Sequence, residues 1–282
     1  MKRTRFAPSP TGPLHLGHAY AALIAAERAD PGEFLLRIED LDRERSRPHW
    51  EAQIFDDLHW LGLRWPEPVL RQSSRQEAYD AALDRLIALG LCYPCSCTRA
   101  DIRAATSAPQ EGVPAQGPDG TIYPGTCRQR SMATAKATDA IRLDMSKSFK
   151  ALSGNANAFC EYGPAHSGVH ILTEDRLATS IGDVVLSRKS GGAAYHLAVV
   201  VDDAAQGITE VTRGEDLFEA TFIHVVLQNL LNLDTPSYFH HELIRDEAGK
   251  RLAKRDDARA LALYRAEGAA PQEIRRLIGL QA

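Results

Sequence analysis

His15 and His18 stand three positions apart behind the loop Ala7-Pro8-Ser9-Pro10-Thr11-Gly12-Pro13-Leu14. Prolines stiffen such a turn, Gly12 and Gly17 permit close backbone approach, and the N–H groups that open a following helix attract anions. Histidines at i and i+3 share a helical face, so both rings can donate to phosphoryl oxygens. Two other uses compete: a Pro/Gly turn with two capping histidines, the commoner use of an isolated pair, and a zinc pair, which lacks a carboxylate at helical spacing. Five cysteines are present, Cys92, Cys95, Cys97, Cys127 and Cys160. An odd number without an export signal points to metal binding rather than cross-linking. Spacing alone nominates Cys92, Cys95, Cys97 and Cys127 as thiolate ligands of a tetrahedral zinc. Cys160, His166 and His170 form a looser group that reads as packing or surface residues. The run Lys250-Arg251-Leu252-Ala253-Lys254-Arg255 is, by itself, a solvated charged stretch.

These residues need elements to hold them. Residues 3–6 and 33–38 read as short strands flanking an alanine-rich helix from about Gly17 to Arg28, a βαβ opening. Helices are expected at Pro48–Leu61 and Ser74–Leu89. The second opens with the capping box Ser74-x-x-Glu77, carries Tyr79, Leu83, Leu86 and Leu89 on one face, and stops at Gly90. From Cys92 to about Leu152 periodicity lapses and prolines and glycines gather, the mark of an insertion. Regular signals return at Asp183–Leu186 and at Tyr195–Val201, where the unbroken apolar run Leu197–Val201 predicts a strand buried on both faces. A helix is expected at about Phe218–Leu231, then a charged loop after Asp246 and a helical end. The predicted fold is α/β, a doubly wound parallel sheet interrupted by a small inserted domain.

Length and composition agree. At roughly 150 residues per domain, 282 residues suit two domains or one with a large insertion. Hydrophobic residues at 44% and charged residues at 25% exclude disorder, collagen-like structure and a disulfide scaffold. Thirty-three basic against 37 acidic side chains give a net charge of −4, which leaves only a local basic face for any nucleic acid. The basic start Met1–Arg5 is followed by Pro8, Pro10, Gly12 and Pro13 instead of a signal-peptide core, and no stretch approaches the ~18 apolar residues of a spanning helix. A soluble, cytoplasmic chain is expected.

The run Arg5-Phe6-Ala7-Pro8-Ser9-Pro10-Thr11-Gly12 followed by His15-Leu16-Gly17-His18 resembles the first signature of the class I aminoacyl-tRNA synthetases in its glutamyl form. The segments Glu33–Asp42, Tyr195–Asp203 and Thr212–Leu217 are similar to later parts of the same enzymes, so the resemblance covers nearly the whole chain. It implies a Rossmann-like catalytic domain split into residues 1–91 and 181–244, an inserted zinc-containing acceptor subdomain over 92–180, and a lysine-loop and helical segment over 245–282. It also implies activation of L-glutamate by ATP with Mg²⁺, releasing pyrophosphate. Arg5 and Arg213 would face the carboxylates and Glu39 the ammonium, with Phe6, Ala7, Pro8, Ser9 and Tyr195 lining the pocket. His15, His18 and Lys254 would surround the ATP phosphates.

The family's second signature is spelled out by Met145-Ser146-Lys147-Ser148, but that string lies inside the insertion, whereas the family places the loop after the completed fold. Arg251-Leu252-Ala253-Lys254-Arg255 is the better match, with alanine where the family has serine. Short members of the glutamyl-Q branch carry Cys-x-Cys and then Tyr-x-x-x-Cys as a structural zinc site, which maps onto Cys95, Cys97, Tyr123 and Cys127 and leaves Cys92 in the core. The sequence ends 28 residues past Lys254, so no anticodon-binding domain is expected, as in that branch, which esterifies the queuosine base of tRNA(Asp). A monomer is expected. The alternatives are a truncated enzyme that charges tRNA(Glu) or another acceptor, and a non-catalytic zinc-containing RNA-binding paralogue. No general base for the transfer step stands out.

Overall fold

Side-chain alternation along the first strand decides which groups reach the site. In β1 (Lys2–Phe6), Thr4 and Phe6 face α1 (Leu16–Ala29), where the Thr4 hydroxyl donates to the Ala25 carbonyl at 2.6 Å, and Arg5 points to the opposite side of the sheet. Ala19, Ala22, Ala25 and Ala29 give α1 a small-residue face that lets it lie close on the strands. β2 (Gly32–Ile38) pairs parallel with β1, as the βαβ opening predicts, and after α2 (Pro48–Trp60) the short β3 (Leu70–Arg71) adds parallel to β2. The computed structural model describes residues 1–106, 116–152, 157–244 and 259–281.

α3 (Gln76–Ala88) starts later than the sequence predicts. The expected capping box does not form: the Ser74 hydroxyl turns back to the Arg71 carbonyl at 2.8 Å, and Arg75 occupies the cap. Ala82 joins Tyr79 and Leu86 on the buried face, while Leu89 is exposed because it has already left the helix as its C-cap. Gly90 ends the helix at φ 72°, with Leu91 N–H reaching back to the Leu86 carbonyl at 3.2 Å.

The insertion supplies β4 (Cys92–Cys95), α4 (Arg99–Thr106), a hairpin of β5 (Gln116–Gly117) and β6 (Gly120–Thr121), β7 (Ala140–Leu143) and α5 (Met145–Ala151). The string Met145–Ser148 forms the first turn of α5, with Met145 fully buried. Next come β8 (Ala158–Glu161), β9 (Gly168–Ile171) and β10 (Val185–Ser187). β10 and β4 flank β7 in an antiparallel sheet.

The apolar run Leu197–Val201 is a helix, α6 (Tyr195–Ala205), which corrects the strand expected there. Its residues are buried on almost every side, and a helix apolar all round produces the same unbroken run as a strand between two layers. The sheet resumes at β11 (Glu210–Gly214), followed by α7 (Ala220–Leu230), β12 (Ser237–His241), α8 (Leu261–Ala266) and α9 (Pro271–Leu277). β11, β12 and β8 pair in parallel, with β9 antiparallel at the edge. Thus β8 and β9, within 92–180, extend the sheet of the second half, and β10, within 181–244, closes the sheet of the insertion.

Thr209 donates its N–H to the Arg3 carbonyl at 2.9 Å, which sets β11 beside β1 and yields the strand line β3-β2-β1-β11-β12-β8-β9. Connections run outward in both directions from β1 and β11, the arrangement that opens a ligand crevice above the strand ends. α1, α2, α8 and α9 share one apolar core; α3, α6, α7 and the floor of the insertion share the other. Among the described residues no helix is long and apolar enough to cross a membrane.

Candidate active site

Arg5, buried from β1, meets Asp203 of α6 in a two-point contact, Nε to Oδ1 at 2.9 Å and Nη2 to Oδ2 at 3.2 Å. Arg37, two positions before Glu39 and on the same side of β2, donates to Asp203 Oδ1 at 2.5 Å and to Glu39 Oε1 at 3.1 Å. Two guanidinium groups and two carboxylates therefore close on one another. Burial works to raise the Asp203 carboxyl, but Arg5 and Arg37 outweigh it and hold it below its ordinary value. At Glu39 burial prevails over Arg37 and Arg5, and the carboxyl is raised. Sequence reasoning gave no role to Asp203 or Arg37; the i, i+2 spacing of Arg37 and Glu39 was the available signal.

Arg213, on β11, is buried and differently partnered. Its Nε donates to His240 Nε2 at 3.1 Å, Nη1 to His224 Nδ1 at 3.0 Å, and Nη2 to Thr221 Oγ1 at 2.9 Å and the Leu217 carbonyl at 3.2 Å. Every one of those acceptors is neutral. Burial, with Arg213 adding to it, lowers His224 well below the ordinary imidazole range. Burial and Arg213 bring His240 to about 4 despite the opposing Glu161. Tyr195 opens α6 between these groups: burial raises its hydroxyl, and Arg213, Glu39, Arg5 and Asp203 all act on it. Arg5, Glu39 and Arg213 thus all lie near enough to Tyr195 to act on it electrostatically. Phe6 differs, because its ring lies in the core against α1 and only its main chain reaches the strand end. The Pro8 carbonyl accepts from Glu39 N–H at 3.0 Å, tying the first loop to that carboxylate; Ala7 is half-buried and Ser9 exposed beside it.

His15 and His18 cap α1 and pack ring to ring with centroids 3.8 Å apart. Gly17 N–H donates to His15 Nδ1, and His15 N–H to His18 Nδ1, both at 3.1 Å. Nδ1 is the acceptor in each, so a neutral ring carries its proton on Nε2. Capping and donation to a phosphate are therefore compatible rather than rival uses. Ala260 bridges to His15, and Leu261 N–H donates to the Leu14 carbonyl at 2.8 Å. Lys254 lies outside the described residues.

In the insertion, the sulfurs of Cys95, Cys97 and Cys127 all lie within 4.8 Å of one another. Cys97 and Cys127 are 3.5 Å apart, and the Tyr123 hydroxyl is 3.4 Å from both Cys95 and Cys97. Sulfurs on a tetrahedral zinc stand about 3.8 Å apart, given Zn–S bonds of about 2.3 Å, so this donor set fits that ion. Burial raises the Cys127 thiol, but hydrogen bonds from Tyr123 and the Ser96 backbone outweigh it and bring it to about 6. Cys92 stays out of the group, packed in the larger core with its thiol pushed up to about 12 by burial. Between this cluster and the strand ends lies a cavity of about 470 Å³ lined by Tyr195, His196, Asp119, Arg99, Arg103 and Arg142.

Residues 1–281 match the family described as tRNA synthetases class I (E and Q), catalytic domain. The glutamyl-Q tRNA(Asp) synthetase of Rhodobacter capsulatus is 60% identical, the match covering 98% of this chain and 99% of that protein. The protein of the same name from Geobacter sulfurreducens is 42% identical over 93% of this chain and 78% of its own. Among solved structures, a glutamate tRNA ligase from Elizabethkingia meningosepticum in complex with its amino acid superposes with a TM-score of 0.71 at 27% identity. That match covers 96% of this chain and 59% of that one. Methionyl-tRNA synthetase of Mycobacterium tuberculosis, at 12% identity and a TM-score of 0.61 over 98% of this chain and 63% of its own, shares the fold.

Proposed function

Because the chain belongs to the class I tRNA synthetases of the glutamate and glutamine type, a family of ligases, we propose that it activates L-glutamate with ATP and transfers the glutamyl group to the queuosine base of tRNA(Asp). In the first step a glutamate carboxylate oxygen attacks the α-phosphorus of ATP, pyrophosphate leaves, and glutamyl-adenylate forms. In the second a hydroxyl of the queuosine ring attacks the activated carbonyl and AMP departs. Mg²⁺ accompanies ATP as part of that substrate.

The uneven partnering of the buried arginines carries this reading. Arg5 and Arg37 are neutralised by Asp203 and Glu39, whereas Arg213 touches only neutral acceptors. A buried cation with no direct counter-ion calls for an anionic ligand. A carboxylate of glutamate meets that need and the amide of glutamine does not. Arg213 offers one remaining N–H on Nη1, Arg5 the N–H groups it does not spend on Asp203 and Thr212, and Glu39 receives the ammonium. His15 and His18 donate from Nε2 to the phosphates, and Lys254 supports the departing pyrophosphate. Cys95, Cys97, Tyr123 and Cys127 hold a structural zinc in the insertion, while β1, β2 and β3 and the sheet of β11, β12, β8 and β9 form the catalytic halves. The arginines lining the adjacent cavity suit the phosphates of an RNA acceptor. The names of the relatives support queuosine-bearing tRNA(Asp) as that acceptor.

The test offers labelled glutamate and ATP with tRNA(Asp) carrying or lacking queuosine, and with tRNA(Glu). Label should reach only queuosine-bearing tRNA(Asp). Label on tRNA(Glu) would reassign the acceptor, and label on no RNA would remove the transfer step.

A further inference from the structure

The partners of Arg213 form two hydrogen-bond chains whose proton positions are fixed. A guanidinium only donates, so His224 Nδ1 and His240 Nε2 must both accept. A neutral His224 then carries its proton on Nε2 and donates to His196 Nδ1 at 3.0 Å; His196 Nε2 lies 3.3 Å from a carboxylate oxygen of Asp119, in the turn of the β5–β6 hairpin. His240 likewise carries its proton on Nδ1 and donates to Glu161 Oε2 at 2.5 Å, while Glu161 Oε1 is held by the backbone N–H groups of His240 and Gly163. Each link sits on a different element: β11 for Arg213, α7 for His224, β12 for His240, β8 for Glu161. Burial and the neighbouring guanidinium both keep the two imidazoles neutral. A carboxylate in either place would fix Arg213 equally well but would cancel its charge.

We propose that His224 and His240 are positioning residues that lock the Arg213 guanidinium in place by accepting its hydrogen bonds as neutral imidazoles, so that its charge is aimed at a substrate carboxylate without being spent on a protein anion. This rests on the glutamate-activation reading above. Glu161 sets the tautomer of His240, as His196 does for His224.

Two measurements test it. Glutamate-dependent ATP–pyrophosphate exchange is compared in the wild-type protein, His224→Leu and His224→Asn. Asn places its carbonyl oxygen where Nδ1 stood, and Leu removes the acceptor. His224→Leu should raise the KM for glutamate roughly 10- to 100-fold, the range of a lost hydrogen bond to a charged group, with the KM for ATP unchanged. His224→Asn should return the glutamate KM to within a few-fold of wild type. An unchanged glutamate KM in the Leu variant, equal losses in Leu and Asn, or parallel shifts for glutamate and ATP would each overturn the proposal. Separately, long-range ¹H–¹⁵N spectra of the unmodified protein at neutral pH should show His224 protonated on Nε2 alone and His240 on Nδ1 alone. The opposite tautomers, or imidazolium at either position, would also overturn it. Absence of exchange in the wild type would fall on the function, and the ring spectra would still decide the network by themselves.

Discussion

At the scale of single residues, what distinguishes Arg213 from Arg5 and Arg37 is the charge of its partners, and that difference predicts a split between stability and activity. Replacing Arg213 with Gln removes a buried charge that no adjacent anion offsets, so the melting temperature should stay level or rise, while the KM for glutamate rises by roughly two orders of magnitude. Thermal melts alongside exchange kinetics check both halves; a large fall in melting temperature with unaltered glutamate KM would make Arg213 merely structural. The imidazoles beside it predict a pH dependence. His240 titrates near 4 in the folded protein, against about 6.5 when unfolded, so between those values the unfolded chain binds the extra proton and the folded chain does not. Stability contributed by a neutral His240 is therefore complete above about pH 6.5 and drains away as pH falls toward 4, with lowered His224 adding to the same slope. Melts across that window should steepen toward acid, and His240→Gln should flatten the slope. Part of the charge network was legible beforehand: Arg5, Glu39 and Arg213 all act electrostatically on Tyr195. Asp203, His224, His240 and Glu161 were not, because their partners come from remote segments, as when Asp203 meets Arg5 across 198 positions.

At the scale of elements, patterning was readable wherever one face of a segment is buried and the other is not. Alternation in β1 put Arg5 opposite Thr4 and Phe6, and α1, α2 and α7 lie within a residue or two of their expected bounds. It failed for α6, where burial on all sides erases the period and three valines mimic a strand. It failed again at the start of α3, since a Ser-x-x-Glu string caps a helix only if the chain enters at the serine, and here the preceding turn from Gln72 to Ser74 uses that hydroxyl. The cysteine segments are a third case. β4 and the turn before Cys127 contribute a small buried cluster of Tyr93, Cys95, Tyr123 and Cys127 that is separate from the main cores. On the proposed zinc reading, a metal adds to burial in holding this cluster. Purified protein should contain about one zinc per chain, and Cys97→Ser or a strong chelator should remove it and lower the melting temperature by several degrees. Metal content near zero in protein purified without chelator, or full retention in Cys97→Ser, would dismiss the zinc assignment.

At the scale of the whole molecule, the two sheet halves are held together where their charges are. Asp203 of α6 binds Arg5 of β1 and Arg37 of β2, and Thr209 before β11 binds the β1 backbone, so the halves close on each other directly beneath the crevice. The described residues that precede and follow the 245–258 segment pack near α1: His241, at the end of β12, lies edge-on against Tyr20 of α1, and Ala260 bridges to His15 while Leu261 is buried against α1. Lys254 stands six positions before Ala260 in the sequence, and the family resemblance implies that it serves the triphosphate beside the histidines that cap α1. A cation brought to the phosphates from that side acts on charge that grows as pyrophosphate departs, and contributes little to glutamate in the ground state. Lys254→Ala should therefore lower the rate constant of ATP–pyrophosphate exchange by roughly two to three orders of magnitude, leaving the glutamate KM and the melting temperature where they were. Exchange at the wild-type rate would place the phosphate-binding cation elsewhere, and a rise in glutamate KM without loss of rate would move Lys254 from the triphosphate to the amino acid.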